Sequence, residues 1–232
     1  MIDITPTHSK LQSGIRLLGF PLKSTGTITA LVLVKVGSRS EEKEHQGISH
    51  FLEHLVFKGT AKRPSPVIVA QDIDAQGGVF NAFTTKEYTG FYITAASEDF
   101  DLMLDILSDI LMNSLFDAEE LERERGVILE EMRLYFDTPS EYIGEVFERL
   151  LYGEHPIGSD IVGSLESVKN ISRDDVVAYT KTHYRGGNVV LALGGNLPSG
   201  YEKKVEQFFG VFAQGEDGGF SPIKETQESP AL

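Results

Sequence analysis

Apolar and polar residues alternate along several short stretches of the chain in the pattern typical of β-strands. Residues 15–20 and 27–36 are rich in β-branched and apolar side chains, and the proline and glycine between them are typical of a turn. We therefore predict that these two segments form a β-hairpin. Residues 79–84 and 88–95 show the same character on either side of a short polar connection, which predicts a second strand pair. A further strand is predicted over residues 188–194.

Other stretches repeat their apolar residues at helical spacing. Ser97 is the predicted N-cap of an amphipathic helix, and Asp117 followed by Glu120 resembles an acidic capping box that opens a helix running to about Phe136. The stripe that faces the core in the first of these helices is Phe100, Met103, Leu104, Leu107, Ile110 and Leu111. Further helices are predicted over residues 48–57, 66–76, 140–151, 172–184 and 201–209. The sequence therefore predicts an α+β fold, in which a mostly antiparallel sheet packs against several helices.

The composition limits the partners that we expect. The 232 residues carry a net charge of −14, which repels phosphate backbones and anionic membrane surfaces, so we expect neither nucleic acid nor membrane as a partner. No apolar run approaches the roughly 20 residues of a membrane-spanning helix. The first residues lack the pattern of a secretory signal, so a cytoplasmic location is expected. The predicted domain covers residues 1–212, and residues 213–232 have the polar composition of a linker or tail.

One pentapeptide, His50-Phe51-Leu52-Glu53-His54, carries most of the chemical information. Since the chain has no cysteine, any metal must be held by His, Asp or Glu. On a helix, residues four apart share a face, so His50 and His54 can both bind one zinc ion, and Glu53 lies beside them as a proton acceptor. The alternative is a pair of solvated histidines on a helix flank, but the intervening glutamate favours metal.

A catalytic zinc site of this kind needs a third protein ligand from elsewhere in the chain. The helix after Asp117 offers six acidic candidates, which are Glu119, Glu120, Glu122, Glu124, Glu130 and Glu131. Glu124 and Glu131 lie two helical turns apart and share a face with Val127 and Ile128, which suggests that this face points inward. A solvated acidic helix, paired with Arg123, Arg125 and Arg133, explains the pattern equally well. Spacing alone does not choose between Glu130 and Glu131.

Four segments of the chain carry a family resemblance. They are residues 37–60 around the inverted His-x-x-Glu-His motif, residues 77–84, residues 124–131 and residues 155–158. Together they resemble the pitrilysin-like (inverzincin) zinc metalloendopeptidases, close to the mitochondrial processing peptidase and bacterial processing-protease branch, over about residues 11–212.

The resemblance implies a role for each matched residue. His50 and His54 match the zinc ligands, and Glu53 matches the general base. Glu131, which lies 77 positions beyond His54, matches the third ligand, so that Glu130 becomes the less favoured candidate. Glu124 matches an acidic residue that supports the ligand histidines.

The resemblance also implies how a substrate is bound. Residues 79–84, if they form an edge strand, can pair with an extended peptide, and Asn81 and Ala82 match the contacting backbone of the family. In the family, two such domains enclose the substrate like a clamshell, and the second supplies arginine and tyrosine contacts. We therefore expect a second homologous domain or subunit as a partner, a dimer included.

The function that follows from the sequence is hydrolysis of unfolded peptides or leader segments by a zinc-dependent endopeptidase. Zinc in such a site lowers the pKa of water towards about 7 and polarises a carbonyl group. Glu53 can take the proton and later deliver it to the leaving amine. The alternative is a non-catalytic scaffold or partner subunit of the same fold, since such proteins also occur in the family.

Overall fold

A six-stranded mixed sheet forms the centre of the computed structural model, which describes residues 5–216, 218–220 and 222–223. Within these residues the sheet has the order β1-β2-β6-β3-β5-β4. Only the β2–β6 pairing is parallel, and the other four pairings are antiparallel. The strands are β1 (Thr7–Lys10), β2 (Arg16–Pro21), β3 (Thr27–Val34), β4 (Val79–Thr84), β5 (Thr89–Ala96) and β6 (Val189–Gly195).

Eight α-helices accompany the sheet in the described part of the chain. They are α1 (Ile48–Leu55), α2 (Pro66–Asp74), α3 (Phe100–Asn113), α4 (Ala118–Phe136), α5 (Pro139–Tyr152), α6 (Leu165–Asn170), α7 (Arg173–His183) and α8 (Tyr201–Phe209). The predicted α+β class and the mostly antiparallel sheet are confirmed. Among the described residues, none of these helices combines the length and the apolar character that crossing a membrane requires.

The predicted hairpin of the first two strands is wrong. β2 and β3 lie in the same sheet, but β6 is inserted between them and pairs with both, so that Leu191 is the partner of Leu17 on one side and of Val32 on the other. All three of these side chains are buried. The apolar patterns of β2 and β3 reflect burial in a sheet centre rather than a local turn.

Helix α3 places the predicted apolar stripe in the core. It packs against β3, β5 and α8, and Phe100, Leu104 and Leu107 are buried. The predicted cap is wrong, because Ser97 starts a short 3₁₀ turn and its hydroxyl donates to the carbonyl of Gly26 at 2.9 Å. Asp99 is the residue that directly precedes the helix.

The predicted N-cap of α4 is confirmed, but only the Asp117 half of the capping box is present among the described residues. A carboxylate oxygen of Asp117 accepts hydrogen bonds from the backbone N–H groups of Glu119 and Glu120, at 2.9 and 3.2 Å. The side chain of Glu120 pairs with Arg123. Asp117 therefore caps α4 and fixes where this helix begins, which sets the positions of the acidic residues further along it.

Two elements, β1 and α6, have no counterpart among the predicted segments. All four residues of β1 are exposed, so that it has no buried face to give an alternating pattern. Helix α6 is six residues long and begins with a capping box between Ser164 and Ser167. Both elements are too short or too polar to show a period.

The chain after Phe212 continues along the turn that precedes β6. The backbone N–H of Gly186 donates to the carbonyl of Ala213 at 2.8 Å, and that of Gly187 donates to Gly215 at 3.1 Å. Asp217, Ser221 and residues 224–232 of the predicted linker or tail lie outside the described residues. The boundary at residue 212 stays a prediction.

Candidate metal centre

Helix α1 presents the two histidines of the motif on one face. Phe51 and Leu52, on its other side, are fully buried and anchor the helix in the core. The rings of His50 and His54 meet edge to face with their centroids 4.7 Å apart. The predicted sharing of one helical face is therefore what the structure has.

Helix α4 brings Glu131 to the same point. One carboxylate oxygen of Glu131 lies 3.7 Å from Nε2 of His50, and the other lies 3.6 Å from Nε2 of His54. One ligand atom from each of the three residues lies within 4.8 Å of the other two. In the part of the chain that the structure describes, this is the one group of three or more His, Asp or Glu side chains close enough to hold a metal ion.

The chemistry of these donors fits zinc. Tetrahedral zinc binds imidazole nitrogen and carboxylate oxygen at about 2.0–2.2 Å, which separates neighbouring donor atoms by about 3.3–3.6 Å. The nitrogen-to-oxygen distances of 3.6 and 3.7 Å are close to that spacing. Two histidines and a glutamate also leave a fourth position open, as catalytic zinc sites do.

Glu124 holds the other nitrogen of His54. Its Oε2 lies 3.1 Å from Nδ1 of His54, and its Oε1 lies 2.7 Å from Nζ of Lys58. The Glu124 carboxylate is buried, so these two partners supply the compensation that a buried charge requires. A proton on Nδ1 donated to Glu124 leaves Nε2 of His54 unprotonated on the side of Glu131, which is the form that binds a metal.

His50 differs from His54 in its hydrogen bonding. Its Nδ1 is buried and has no hydrogen-bond partner among the described residues. Burial, together with the neighbouring His54, lowers the pKa of His50 to about 3. His50 is therefore neutral at pH 7 and can donate a lone pair to a cation.

Glu53 is held against β4. Its Oε2 accepts a hydrogen bond from the hydroxyl of Thr84 at 2.6 Å. Burial raises the pKa of Glu53, an effect that the hydrogen bond from Thr84 opposes. No other hydrogen bond to the Glu53 carboxylate occurs among the described residues, and a carboxylate with a raised pKa that is held by one oxygen is suited to exchange a proton.

The alternative prediction for α4, a solvated acidic helix paired with arginines, describes the other acidic residues of this helix. Glu120, Glu122 and Glu130 pair with the arginines three residues further along, which are Arg123, Arg125 and Arg133. The inward face is narrower than predicted, because Ile128 is buried but Val127 is 48% exposed. Glu130 is on the paired, exposed side, and Glu131 is the residue that reaches the histidines.

A cavity of about 320 Å³ opens beside His50 and Glu131. β4 forms one wall as the edge strand of the sheet, since its described neighbour is β5 alone. Ala82 lies on this wall, whereas Asn81, one residue earlier, is exposed and its side-chain oxygen accepts from the Ala82 N–H at 2.9 Å. The full lining is His50, Glu53, Ala82, Phe83, Thr84, Glu131, Tyr135, Glu145, Asp160, Ile161 and Val162.

Two contacts of this site were not predicted from the sequence. Lys58 lies beyond the end of α1, and its ion pair with Glu124 joins two segments that are far apart in sequence. Thr84 ends β4, and no sequence signal separates it from the neighbouring Thr85. The second wall of the cavity, formed by Tyr135, Glu145 and Asp160, depends on how α4 and α5 pack.

The sequence profile described as Insulinase (Peptidase family M16) matches residues 22–164, which is more than half of the chain. The chain belongs to peptidase family M16. The matched range contains every residue of the metal centre described above. The predicted resemblance to the pitrilysin-like peptidases is confirmed at the level of the family, and the processing-peptidase branch stays a prediction.

Relatives within family M16 are longer than this chain. The chain is 37% identical over 219 residues to a Rickettsia felis protein named "Uncharacterized zinc protease", covering 93% of this chain and 52% of that protein. It therefore spans about half the length of the curated relatives it matches.

Solved structures of family M16 show the same fold. A protease from Helicobacter pylori superimposes with a TM-score of 0.87 at 25% identity, covering 96% of this chain and 54% of that one. A peptidase M16 inactive domain from Pseudomonas fluorescens also gives a TM-score of 0.87, at 19% identity, with 95% and 53% coverage. The fold of this chain thus matches about half of each of these solved chains, one of which is called a protease and the other an inactive domain.

Proposed function

We propose that the chain is the zinc-binding catalytic half of an endopeptidase that hydrolyses unfolded peptides or leader segments. The observation that supports this most strongly is that His50, His54 and Glu131 converge from two helices, while Glu53 lines the same cavity as His50 and Glu131. The names of relatives as zinc proteases support the same reaction class.

In this proposal each residue has a distinct role. His50, His54 and Glu131 hold the zinc ion, and Glu124 orients His54 through its Nδ1. Zinc, when bound, supplies a Lewis acid that activates water and polarises a carbonyl group. Glu53 takes a proton from the attacking water through the carboxylate oxygen that Thr84 leaves free, and then delivers it to the leaving amine.

The edge strand supplies a site for the peptide in this proposal. An extended segment that pairs with β4 would gain main-chain hydrogen bonds along Asn81 and Ala82, and these are independent of side-chain type. Because Ala82, Phe83 and Thr84 line the same cavity as Glu53, a paired peptide would pass close to the catalytic carboxylate.

We also propose that a second unit of the same fold completes the enzyme, as a separate subunit or as a further domain. The relatives are about twice as long as the matched region, which leaves room for one more such unit. Helix α5 offers a surface for it. Glu145 and Glu148 on one face of α5 bind Lys86, each at 2.8 Å, whereas its opposite face carries exposed apolar residues.

An ordinary surface helix turns its charged side to water and its apolar side to the core, whereas α5 exposes its apolar side. Its residues are Ile143, Val146, Phe147, Leu150 and Leu151, between 45% and 66% exposed. Exposed apolar patches of this kind mark contact surfaces. We therefore assign α5 as the surface on which the second unit docks.

The experiment that tests the function combines metal analysis with cleavage of an unfolded peptide that carries a fluorophore and a quencher. We expect about one zinc ion per chain, lost in His54→Ala. We expect Glu53→Gln to keep the zinc and to abolish cleavage by the assembly that is purified with a tagged chain. The non-catalytic alternative, which the M16 inactive domain illustrates, requires an assembly that does not cleave, or a chain without zinc after purification in zinc-containing buffer.

A further inference from the structure

Two ligand histidines on one helix are positioned by different means. Nδ1 of His54 meets Glu124, which in turn meets Lys58. Nδ1 of His50 has no such partner among the described residues. The direction of the His50 ring must therefore follow from the position of its backbone, which is the first turn of α1.

The first turn of α1 lacks a cap of its own. Helices commonly begin with Ser, Thr, Asp or Asn, whose side chain accepts one of the free N–H groups of the first turn. The N-cap of α1 is Gly47, with a φ of 91°. A Cβ atom at this position would lie 2.6 Å from the carbonyl oxygen of Val162, so a capping side chain is excluded there by the close approach of the loop before α6.

Glu41 supplies the missing cap from six residues earlier. Its Oε2 accepts a hydrogen bond from the backbone N–H of Gly47 at 2.7 Å, and its Oε1 accepts one from the N–H of Ser49 at 2.8 Å. Glu41 is 8% exposed, so both bonds lie largely out of water. When Glu41 is ionised, its charge also lies at the positive end of the helix dipole.

We propose that Glu41 is the positioning residue for His50, as Glu124 is for His54. By holding the N–H groups of Gly47 and Ser49, Glu41 fixes the rotation and the start of a helix that is only eight residues long. An isolated helix of this length is unstable in water, so its first turn depends on such external bonds. His50 directly follows Ser49, and its Nε2 thereby stays directed at Glu131.

This inference rests on the proposed zinc site, and its test separates the two. Glu41→Gln keeps the shape of the side chain but places an amide donor against a backbone N–H. We expect zinc affinity to fall about tenfold, the lower end of the effect of removing an outer-sphere partner. Glu42→Gln is the matched control, because the Glu42 side chain is 83% exposed and lies next to Glu41 in sequence.

The decisive readout is nuclear magnetic resonance of the zinc-free chain at pH 8. We expect Glu41→Gln to shift the imidazole ¹⁵N signals of His50 and to speed hydrogen exchange at the amides of Gly47 and Ser49, with the signals of His54 unchanged. Glu124→Gln should shift the imidazole signals of His54 and leave those of His50 and the exchange at Gly47 and Ser49 unchanged. Equal effects of Glu41→Gln on both histidines, or none on His50, would overturn the proposal.

The zinc measurement tests the proposed function, and the imidazole spectra test the role of Glu41, so the two proposals can be contradicted independently. A wild-type chain that binds no zinc contradicts the proposed function, whereas the zinc-free spectra still decide the role of Glu41. A wild-type chain that binds zinc no more tightly than Glu41→Gln contradicts the role of Glu41 alone. If Glu41→Gln does not fold, Glu41→Asp is used instead, because it keeps the charge on a side chain one methylene shorter. A zinc affinity of Glu41→Asp below that of the wild type supports the proposal, and an equal affinity overturns it.

Discussion

His54 and Glu124 are linked by a contact of 3.1 Å between Nδ1 and Oε2. Glu124 is 5% exposed, and its second oxygen is held by Lys58. The carboxylate therefore has little freedom to turn, and the imidazole has one direction in which its Nδ1–H is satisfied. This relationship orients Nε2 of His54 towards Glu131 before any cation binds.

Replacing Glu124 by Gln tests that relationship. The amide cannot serve both a protonated Nδ1 and the Lys58 ammonium, since one of its two ends is a donor. We expect zinc affinity to fall by about 10–100-fold, as for other outer-sphere partners of ligand histidines. Competition with a coloured chelator measures it. Glu119→Gln, on the exposed start of the same helix, should bind zinc like the wild type; equal affinity of both variants would contradict the role of Glu124.

The choice between two adjacent carboxylates gives a second prediction. Glu131 faces both histidines, whereas Glu130 pairs with Arg133 on the exposed side of α4. Glu131→Gln should weaken zinc binding by more than about 100-fold, beyond the range of outer-sphere changes, because a ligand is lost. Glu130→Gln should leave it unchanged. Zinc titration of both variants under the same conditions measures the two affinities. A weaker affinity of Glu130→Gln than of Glu131→Gln would instead identify Glu130 as the ligand.

The sequence predicted this site more completely than it predicted the sheet. His50, Glu53 and His54 lie within one helical turn of each other, so local geometry alone brings them together. Glu131 needed the family resemblance, since a helix period does not distinguish it from Glu130 until the packing of α4 against α1 is known. Lys58 was missed because its partner, Glu124, lies far away in sequence.

The wrong hairpin has a physical cause of the same kind. β2 and β3 are close in sequence and have the right composition for a hairpin, but their pairing edges are taken by β6, which lies more than 150 residues later. Pairing between strands so far apart depends on which apolar faces the helices bury. A local sequence pattern does not predict that packing.

The hydroxyl of Thr84 gives a third prediction. It donates to Oε2 of Glu53 at 2.6 Å and so holds the proposed base in place. Thr84→Val removes the donor at nearly constant volume, and we expect peptide cleavage to fall roughly tenfold, a part of the 10²–10⁴-fold that general base catalysis contributes. Zinc content should not change. Thr84→Ser retains a hydroxyl and should restore cleavage; a valine variant as active as the serine variant would show that this bond is unimportant.

The pH dependence of stability gives a fourth prediction, through Glu41. Burial raises the pKa of Glu41 from 4.5 to about 7, against the opposing hydrogen bonds from Ser49 and Gly47. Between these two values the folded chain keeps a proton that the unfolded chain has released, so the contribution of Glu41 to the free energy of unfolding falls as the pH rises. The loss is at most about 3 kcal/mol between pH 4.5 and 8.

Urea unfolding of the zinc-free chain at pH 5 and pH 8 measures this contribution. Glu41→Gln cannot titrate, so the difference in unfolding free energy between this variant and the wild type should change with pH in favour of the variant at pH 8. The Glu42 side chain is exposed, so the unfolding free energy of Glu42→Gln should change with pH as that of the wild type does. The same pH dependence for Glu41→Gln would show that Glu41 has an ordinary pKa.

The exposed apolar face of α5 gives the last prediction. Phe147 and Leu150 are 60% and 53% exposed, one turn apart on a helix whose charged side is already occupied by Lys86. If a second unit of the fold docks there as a separate subunit, Phe147→Glu with Leu150→Glu buries two unpaired charges in the interface and should dissociate the assembly. Light scattering on material purified with a tagged chain should then give 25.6 kDa for the variant and a larger mass for the wild type.

Val211→Glu is the matched control for that surface, because Val211 is 80% exposed and lies outside α5. The same change from an apolar to an acidic residue at this position should leave the larger mass intact. Since the chain has no cysteine, Phe147→Cys also gives a single thiol, which should be protected from a maleimide reagent in the assembly and reactive in the dissociated chain. An assembly that forms with the Phe147 and Leu150 substitutions, or a thiol that reacts equally in both states, would place the second unit on another face.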